Sequence, residues 1–109
     1  MLNEAKLALR VTASAYDAEI MRLLEAGARD LEIAGVRLHG RVSYTTGTSG
    51  VDDLSTIRDP LEMRAILTYA RMYFGSPPDF DRLQAAYETQ KVQLMHAEWY
   101  TDFGGEDEC

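Results

Sequence analysis

Few residues in this sequence have the type and spacing that catalysis or metal binding requires. The two histidines, His39 and His96, lie far apart, and neither belongs to a His-x-x-x-His or Cys-x-x-Cys pair, the spacings typical of metal ligands. The only cysteine, Cys109, follows Glu108, and a neighbouring negative charge disfavours the thiolate that acts as a nucleophile. We therefore predict no metal, no cofactor and no catalytic residue, and we interpret His39 as a surface residue.

Two further motifs also have ordinary explanations. The segment Gly47-Thr48-Ser49-Gly50 lacks the Lys-Ser/Thr pair of a phosphate-binding loop, and it is typical of a flexible turn. The adjacent carboxylates Asp52 and Asp53 are interpreted as a solvated turn rather than as a paired acid and base. A binding or structural protein is therefore favoured over an enzyme.

Length and composition indicate one small domain. The chain has 109 residues and a formal charge of −7, and 46% of its residues are hydrophobic, which is enough for a core without covalent cross-links. A single cysteine excludes a disulfide-rich scaffold. No stretch approaches the roughly 18 apolar residues of a transmembrane helix, and the N-terminal residues lack a signal-peptide pattern. We expect a soluble domain made in the cytoplasm.

The negative charge is concentrated at the end of the chain. No Lys or Arg follows Lys91, while five acidic residues do: Glu98, Asp102, Glu106, Asp107 and Glu108. Residues 100–109 are predicted to form a disordered acidic tail, which is either solvated or docks a basic partner. Such a surface repels phosphate, so specific binding of DNA and of anionic membranes is disfavoured.

The periodicity of apolar residues predicts two helices in the first third of the chain. The first runs from Asn3, as N-cap, to Arg10. The second begins with a capping box from Ser14 to Asp17 and ends at Gly35 in a left-handed cap. Gly27, in the middle of this helix, indicates the close approach of a neighbouring helix.

Residues 36–58 interrupt the helical pattern. Val36, Leu38, Val42 and Tyr44 alternate with polar residues, which predicts a half-exposed strand, and Gly40 is interpreted as a possible bulge. The segment after Gly50 fits either a returning strand or an irregular loop, and the sequence does not decide between them.

Two more helices follow. The third begins with Asp59 as cap, Pro60 in the first position and Glu62 reaching back, and it ends at Gly75. It is apolar over most of its circumference, except for a narrow stripe formed by Arg64, Thr68 and Arg71. Such a helix is either central to the core or shared with another chain.

The fourth helix is predicted from Asp79 to about Trp99. Its C-terminal half has a second apolar stripe of Val92, Met95 and Trp99, which either wedges between two helices or contacts another subunit. The fold class is therefore mainly α, a small bundle of about four helices. A long loop or a short β-hairpin over residues 36–58 separates the second helix from the third within a single domain of residues 1–99.

The order of these elements resembles the small head–tail connector proteins of tailed phages, also called head-completion adaptors. Outside the middle segment, the resemblance spans residues 2 to about 95. It is carried in the first half by Leu2-x-x-Ala5-Lys6-x-x-Leu9-Arg10-Val11, Asp17-x-Glu19-Ile20, Leu23, Leu24 and Ala34-Gly35-Val36. In the second half it is carried by Asp59-Pro60-Leu61, Arg64-Ala65-Ile66, Tyr69, Tyr73-Phe74-Gly75, Tyr87 and Leu94.

This resemblance implies a non-enzymatic virion protein at the head–tail junction. It implies a ring of about a dozen copies that docks on the portal protein after DNA packaging, lets DNA pass without specific binding, and receives a stopper or tail-completion protein. The alternatives are a small helical host regulatory or protein-interaction module, a tail-completion protein, and an undetected enzyme.

Three sets of residues are hypothesised to make the contacts of such a ring. The subunit interface comprises Met72, Val92, Met95 and Trp99. The loop that contacts the portal or the next ring comprises Arg37, His39, Arg41 and Tyr44. The acidic tail that faces the channel or docks a partner comprises Asp102, Glu106, Asp107 and Glu108.

Overall fold

Four α-helices and one β-hairpin make up the fold. The computed structural model describes residues 1–48, 50–75 and 77–107, and it describes side chains only as far as His96. The elements are α1 (Leu2–Leu9), a 3₁₀ turn (Ser14–Tyr16), α2 (Asp17–Ile33), β1 (Tyr44–Gly47), β2 (Gly50–Asp53), α3 (Pro60–Tyr73) and α4 (Phe80–Asp107). The prediction of a mainly α bundle with a hairpin between the second and third helices is confirmed.

The first helix ends one residue earlier than predicted, at Leu9, and its N-cap lies two residues earlier than predicted. Its N-cap is Met1 rather than Asn3, and no side chain of its own segment caps it. Instead the backbone N–H of Leu2 donates to Asp53 Oδ2 at 2.7 Å, so a residue at the end of the hairpin supplies the cap. Arg10 ends the helix in the left-handed conformation, with φ 58°.

The predicted capping box of the second helix is wrong. Ser14 lies in the 3₁₀ turn, and no side chain caps α2. Asp17 pairs instead with Lys6 Nζ at 2.8 Å, which ties the start of α2 to α1. The predicted end is confirmed, because Gly35 has φ 104° and the N–H groups of Gly35 and Val36 donate to Glu32 and Leu31.

The close approach predicted at Gly27 is also confirmed. A Cβ atom at this position would lie 3.0 Å from Cβ and Cγ of Tyr69 on α3. The absence of a side chain therefore lets α2 and α3 pack closely, and the core extends from this contact. The buried apolar residues of this core include Ile20, Met21, Leu24, Leu31, Ala65, Ile66, Ala70, Leu83, Tyr87 and Leu94.

The strand predicted from Val36 to Tyr44 is wrong over residues 36–43. The ladder of β1 and β2 begins only at Tyr44, which pairs with Asp53. The preceding residues stay beside residues 54–56 through backbone bonds, because the N–H groups of Leu54 and Thr56 donate to the carbonyl oxygens of Ser43 and Arg41, both at 2.8 Å. In the other direction a hydroxyl group accepts, since the N–H of Arg41 donates to Thr56 Oγ1 at 3.0 Å. The alternating burial that suggested a strand is nevertheless present, since Val36 and Val42 are buried.

Gly40 is a point of close backbone contact rather than a bulge. A Cβ atom there would lie 2.5 Å from the carbonyl oxygen of Thr56. The segment after Gly50 combines both open alternatives, because β2 returns as a strand and then gives way to a loop that buries Ile57.

The start of the third helix is predicted correctly except for Glu62. Asp59 Oδ1 accepts from the N–H groups of Leu61 at 2.8 Å and Glu62 at 3.3 Å, and Pro60 takes the first helical position. The Glu62 side chain does not reach back to this cap, because it turns to His39. Gly75, with φ 70°, follows the end of α3.

The fourth helix packs antiparallel on α3 and continues past its predicted end near Trp99 to Asp107. Contacts of Tyr73 with Phe80, Tyr69 with Tyr87 and Arg64 with Gln93 fix this direction. No helix of the described residues is long and apolar enough to cross a membrane.

Candidate interaction surfaces

The loop before the hairpin is anchored on α3 through one buried carboxylate. Glu62 is 2% exposed, and it accepts from the backbone N–H of His39 at 3.0 Å and lies 2.6 Å from His39 Nδ1. The imidazole itself is 67% exposed. His39 is therefore a surface residue, as interpreted from sequence, but it also holds the loop in place.

His39, Asp59 and Glu62 also form a group that could hold a metal ion, with ligand atoms within 4.8 Å of one another. The carboxylates of Asp59 and Glu62 already accept hydrogen bonds from other groups of the protein. Asp59 accepts from two N–H groups at the start of α3, and both Glu62 oxygens face His39. The positive end of the helix dipole also disfavours a cation there. The arrangement is that of a capped helix that anchors a loop.

A basic groove lies beside this loop. It has a volume of about 580 Å³ and is formed by α2 and residues 38–42, with Arg22, Arg29 and Arg41 on its walls together with Glu25 and Glu32. Arg37 and Arg41 are exposed, whereas Tyr44 is half-buried and packs against the core. The four residues of the predicted contact loop therefore share one segment, but Tyr44 is directed partly inward.

Arg22 and Arg29 were missed by the sequence analysis. They are seven residues apart on α2, which places them on one face two turns apart. That spacing was the available signal, but nothing in the sequence indicated that residues 38–42 fold back onto this face.

A second groove runs along the outer face of α3. We call it the α3 groove; it has a volume of about 320 Å³ and is lined by Ala8, Pro60, Met63, Arg64, Leu67, Thr68 and Arg71. The polar stripe predicted for the third helix is part of this groove. Arg64 Nη2 donates to Gln93 Oε1 at 3.0 Å, so α4 borders the groove on one side.

The predicted subunit interface divides into exposed and buried residues. Val92 is 45% exposed and Met95 38% exposed, so both are available for contact. Met72 is 4% exposed and belongs to the core of the protomer, because the third helix is central to the bundle. The side chains of Trp99, Asp102, Glu106 and Asp107, and all of Glu108, lie outside the described residues.

The interpretation of Asp53 as part of a solvated turn is wrong. Its carboxylate lies 2.7 Å from the N-terminal ammonium of Met1 and accepts from the N–H of Leu2 at the same distance. Burial raises the pKa of this carboxyl, but the bonds from the ammonium, Ser55 and Leu2 outweigh it and hold the pKa well below its usual range. Asp53 therefore joins the hairpin to α1.

A family model described as "Phage connector protein" matches residues 1–101. The chain belongs to the phage connector protein family. No curated protein and no solved structure matches it significantly. The resemblance found in the sequence is therefore confirmed, and the match includes the hairpin region, which the resemblance left out.

Both grooves of this connector lie within the matched residues. The basic groove is formed by residues 22–42 and the α3 groove by residues 8–71, all inside the range 1–101. The last acidic residues, Asp102, Glu106, Asp107 and Glu108, follow the end of the match.

Proposed function

We propose that this connector is a structural virion protein of a tailed phage or prophage. In this proposal about a dozen copies form a ring that docks on the portal after DNA packaging and joins the head to the tail. The family match over residues 1–101 is the observation that carries the proposal. No catalytic step is part of it.

A ring requires two different surfaces on each copy, because each copy contacts one neighbour on either side through unlike faces. The described residues offer two such surfaces. One is the α3 groove, which is apolar with arginines along it, and the other is the exposed stripe of Val92 and Met95 on α4. Their different chemistry favours a head-to-tail contact over a two-fold one.

The charge of the chain suits a channel through which DNA slides. The formal charge is −7 per copy, and the five acidic residues after Lys91 account for most of it. A ring of such copies repels phosphate and releases DNA, whereas a basic ring would retain it.

The basic groove and the adjoining loop are proposed to contact the portal or the next ring. Arg37 and Arg41 are exposed, while the backbone around them is held by Glu62 and Thr56. A rigid backbone that presents exposed arginines is suited to docking because little loop order has to be gained on binding.

The test is co-assembly with the portal ring of the same phage. We expect the wild-type chain to co-sediment with the portal, and the double variant Arg37→Ala/Arg41→Ala to lose this binding with an unchanged melting temperature. An equal loss of melting temperature would instead assign the arginines to the fold. A wild-type chain that neither binds the portal nor forms rings would contradict the proposed function.

A further inference from the structure

The α3 groove combines an apolar floor with two positive charges. Ala8, Pro60, Met63 and Leu67 supply the apolar lining. Arg64 and Arg71 lie seven residues apart on the same helix, which separates them by about 10 Å along its axis. Among the residues with described side chains, neither guanidinium forms an ion pair, whereas Lys91 pairs with Asp30 and Arg82 with Asp79.

The C-terminal segment of the chain has the complementary composition. We define it as residues 98–109, and it contains no basic residue. Its acidic residues are interspersed with three aromatic ones, Trp99, Tyr100 and Phe103. Aromatic residues bury large apolar areas at interfaces, and carboxylates pair with arginine in two parallel hydrogen bonds. A groove with an apolar floor and arginines fits a segment of this kind.

The helix direction carries this segment away from the α3 groove of its own chain. Gln93 lies beside Arg64, near the start of α3, and α4 runs antiparallel to α3. Asp102 follows nine residues later, which is about 14 Å further along the axis of α4 and on the side away from Arg71. The direction of α4 does not keep the segment away from the α3 groove of a neighbouring copy.

We infer that the α3 groove of one copy receives the C-terminal segment of the adjacent copy. This names the contact that closes the ring, and it therefore rests on the proposed function. The aromatic residues of the segment lie on the apolar floor, and its carboxylates face Arg64 and Arg71. Each copy thus places its C-terminal segment in the α3 groove of one neighbour and receives the segment of the other neighbour in its own groove.

Trp99 provides the measurement, because it is the only tryptophan of the chain. We expect its emission to shift to shorter wavelength as the full-length chain is concentrated, in parallel with the mass from light scattering. An indole that becomes buried on the apolar floor of a neighbour's groove emits at shorter wavelength.

A charge swap tests the pairing. The groove variant Arg64→Glu/Arg71→Glu and the segment variant Asp102→Lys/Glu106→Lys each place like charges opposite each other. Each is expected to raise the concentration for half-assembly by at least about tenfold, since like charges across an interface are strongly unfavourable. In an equimolar mixture the two variants pair opposite charges wherever they alternate around the ring, so the mixture is expected to assemble again, preferentially into rings with an even number of copies. The matched control Arg58→Glu/Arg82→Glu, at two exposed arginines that line neither groove, is expected to assemble like wild type.

Each other outcome overturns the inference in a distinguishable way. Rings without a shift in Trp99 emission, or a mixture that fails to assemble, would show that the ring closes elsewhere, and the proposed function would stand. A shift present at every dilution of a monomer would assign the groove to the segment of its own chain. A monomer with constant emission at all concentrations would overturn the contact, and portal binding would then decide the proposed function separately.

Discussion

Two sets of polar residues in this connector have opposite roles, and we call them the inner side and the outer side. On the inner side, Glu62, Asp53 and Asp30 each accept from a distant part of the chain, at His39, Met1 and Tyr87. On the outer side, Arg64 and Arg71 lie beside apolar residues that stay partly exposed. The inner polar residues fix one arrangement of a small bundle, and the outer ones are available to other molecules.

Tyr87 shows how the inner side works. Its hydroxyl donates to Asp30 Oδ2 at 2.5 Å, and Lys91 Nζ lies 3.5 Å from the same oxygen. Burial first, and then the bond to Asp30, raise the pKa of Tyr87. This contact joins α4 to α2 and leaves the α4 surface beyond Leu94 without a comparable tether among the described side chains.

We therefore expect substitutions on the inner side to lower the stability of the fold, and substitutions on the outer side to weaken association. The largest effect is expected at Gly40. Gly40→Ala places a Cβ atom 2.5 Å from the backbone oxygen of Thr56, so the loop must shift. We expect a loss of about 2–3 kcal/mol in the free energy of unfolding, measured by urea titration.

Gly47→Ala is the matched control for this substitution. A Cβ atom there has nothing within 4 Å, and its φ is not positive. We expect its free energy of unfolding to stay within about 0.5 kcal/mol of wild type. Equal losses for the two variants would show that the loop is not held where the contact at Thr56 places it.

The anchor of the loop is expected to rank second. His39→Ala leaves the buried carboxylate of Glu62 with one donor instead of two, so we expect a loss of about 2 kcal/mol in thermal or chemical unfolding. His96→Ala, at the other and exposed histidine, serves as control and should leave unfolding unchanged. If both variants unfold alike, His39 is only a surface residue.

Asp53→Asn tests the link between the hairpin and α1, with an expected loss of about 1–2 kcal/mol at pH 7. Because the pKa of Asp53 is lowered in the folded chain, its stabilisation is present above the ordinary value of 3.8 and is lost as the pH falls further. The pKa of the Met1 ammonium is raised, since its bond to Asp53 outweighs burial, so the same contact weakens as the pH rises above its ordinary 8.0.

The difference between wild type and Asp53→Asn should therefore be largest between about pH 4 and 8 and should shrink on either side. Unfolding followed by circular dichroism over this pH range measures it. Asp52→Asn, at the exposed neighbour, is the control. If the free energies of unfolding of wild type and Asp53→Asn differed by the same amount at every pH, this would contradict the ion pair.

The smallest effect on folding is expected on the outer side. Val92→Ser/Met95→Ser removes exposed apolar surface from α4, so the free energy of unfolding should change by less than about 0.5 kcal/mol while self-association weakens. Ile33→Ser, at a residue 75% exposed on α2, is the control for lost apolar surface. Weaker association in the control alone would move the interface to α2.

Whether the sequence predicted a feature correctly depends on how far apart along the chain the interacting residues lie. Helix ends set by local bonds, such as Asp59 with Pro60 and Gly35 after α2, were predicted correctly. Long-range polar contacts were not, because nothing local pairs Asp53 with residue 1 or Glu62 with His39. The strand error at residues 36–43 has a related origin. The hydroxyls of Thr56 and Ser55 accept from the N–H groups of Arg41 and Ser43, so only the bonds in the opposite direction join backbone to backbone there.

The surfaces show the same division. Helical spacing placed Val92 and Met95 on one face of α4 but left open whether that face is exposed, and burial of Met72 likewise depends on how much of α3 the other helices cover. The basic groove needed the return of residues 38–42 onto α2, which no spacing in the sequence encodes.

The mass of the purified chain is the most direct test of ring assembly. Light scattering over a wide range of concentration, with electron microscopy of the most concentrated sample, should give about a dozen copies of the 12.2 kDa chain and annular particles. A stable dimer that persists on dilution would contradict ring assembly, because a two-fold contact occupies the faces that a ring requires.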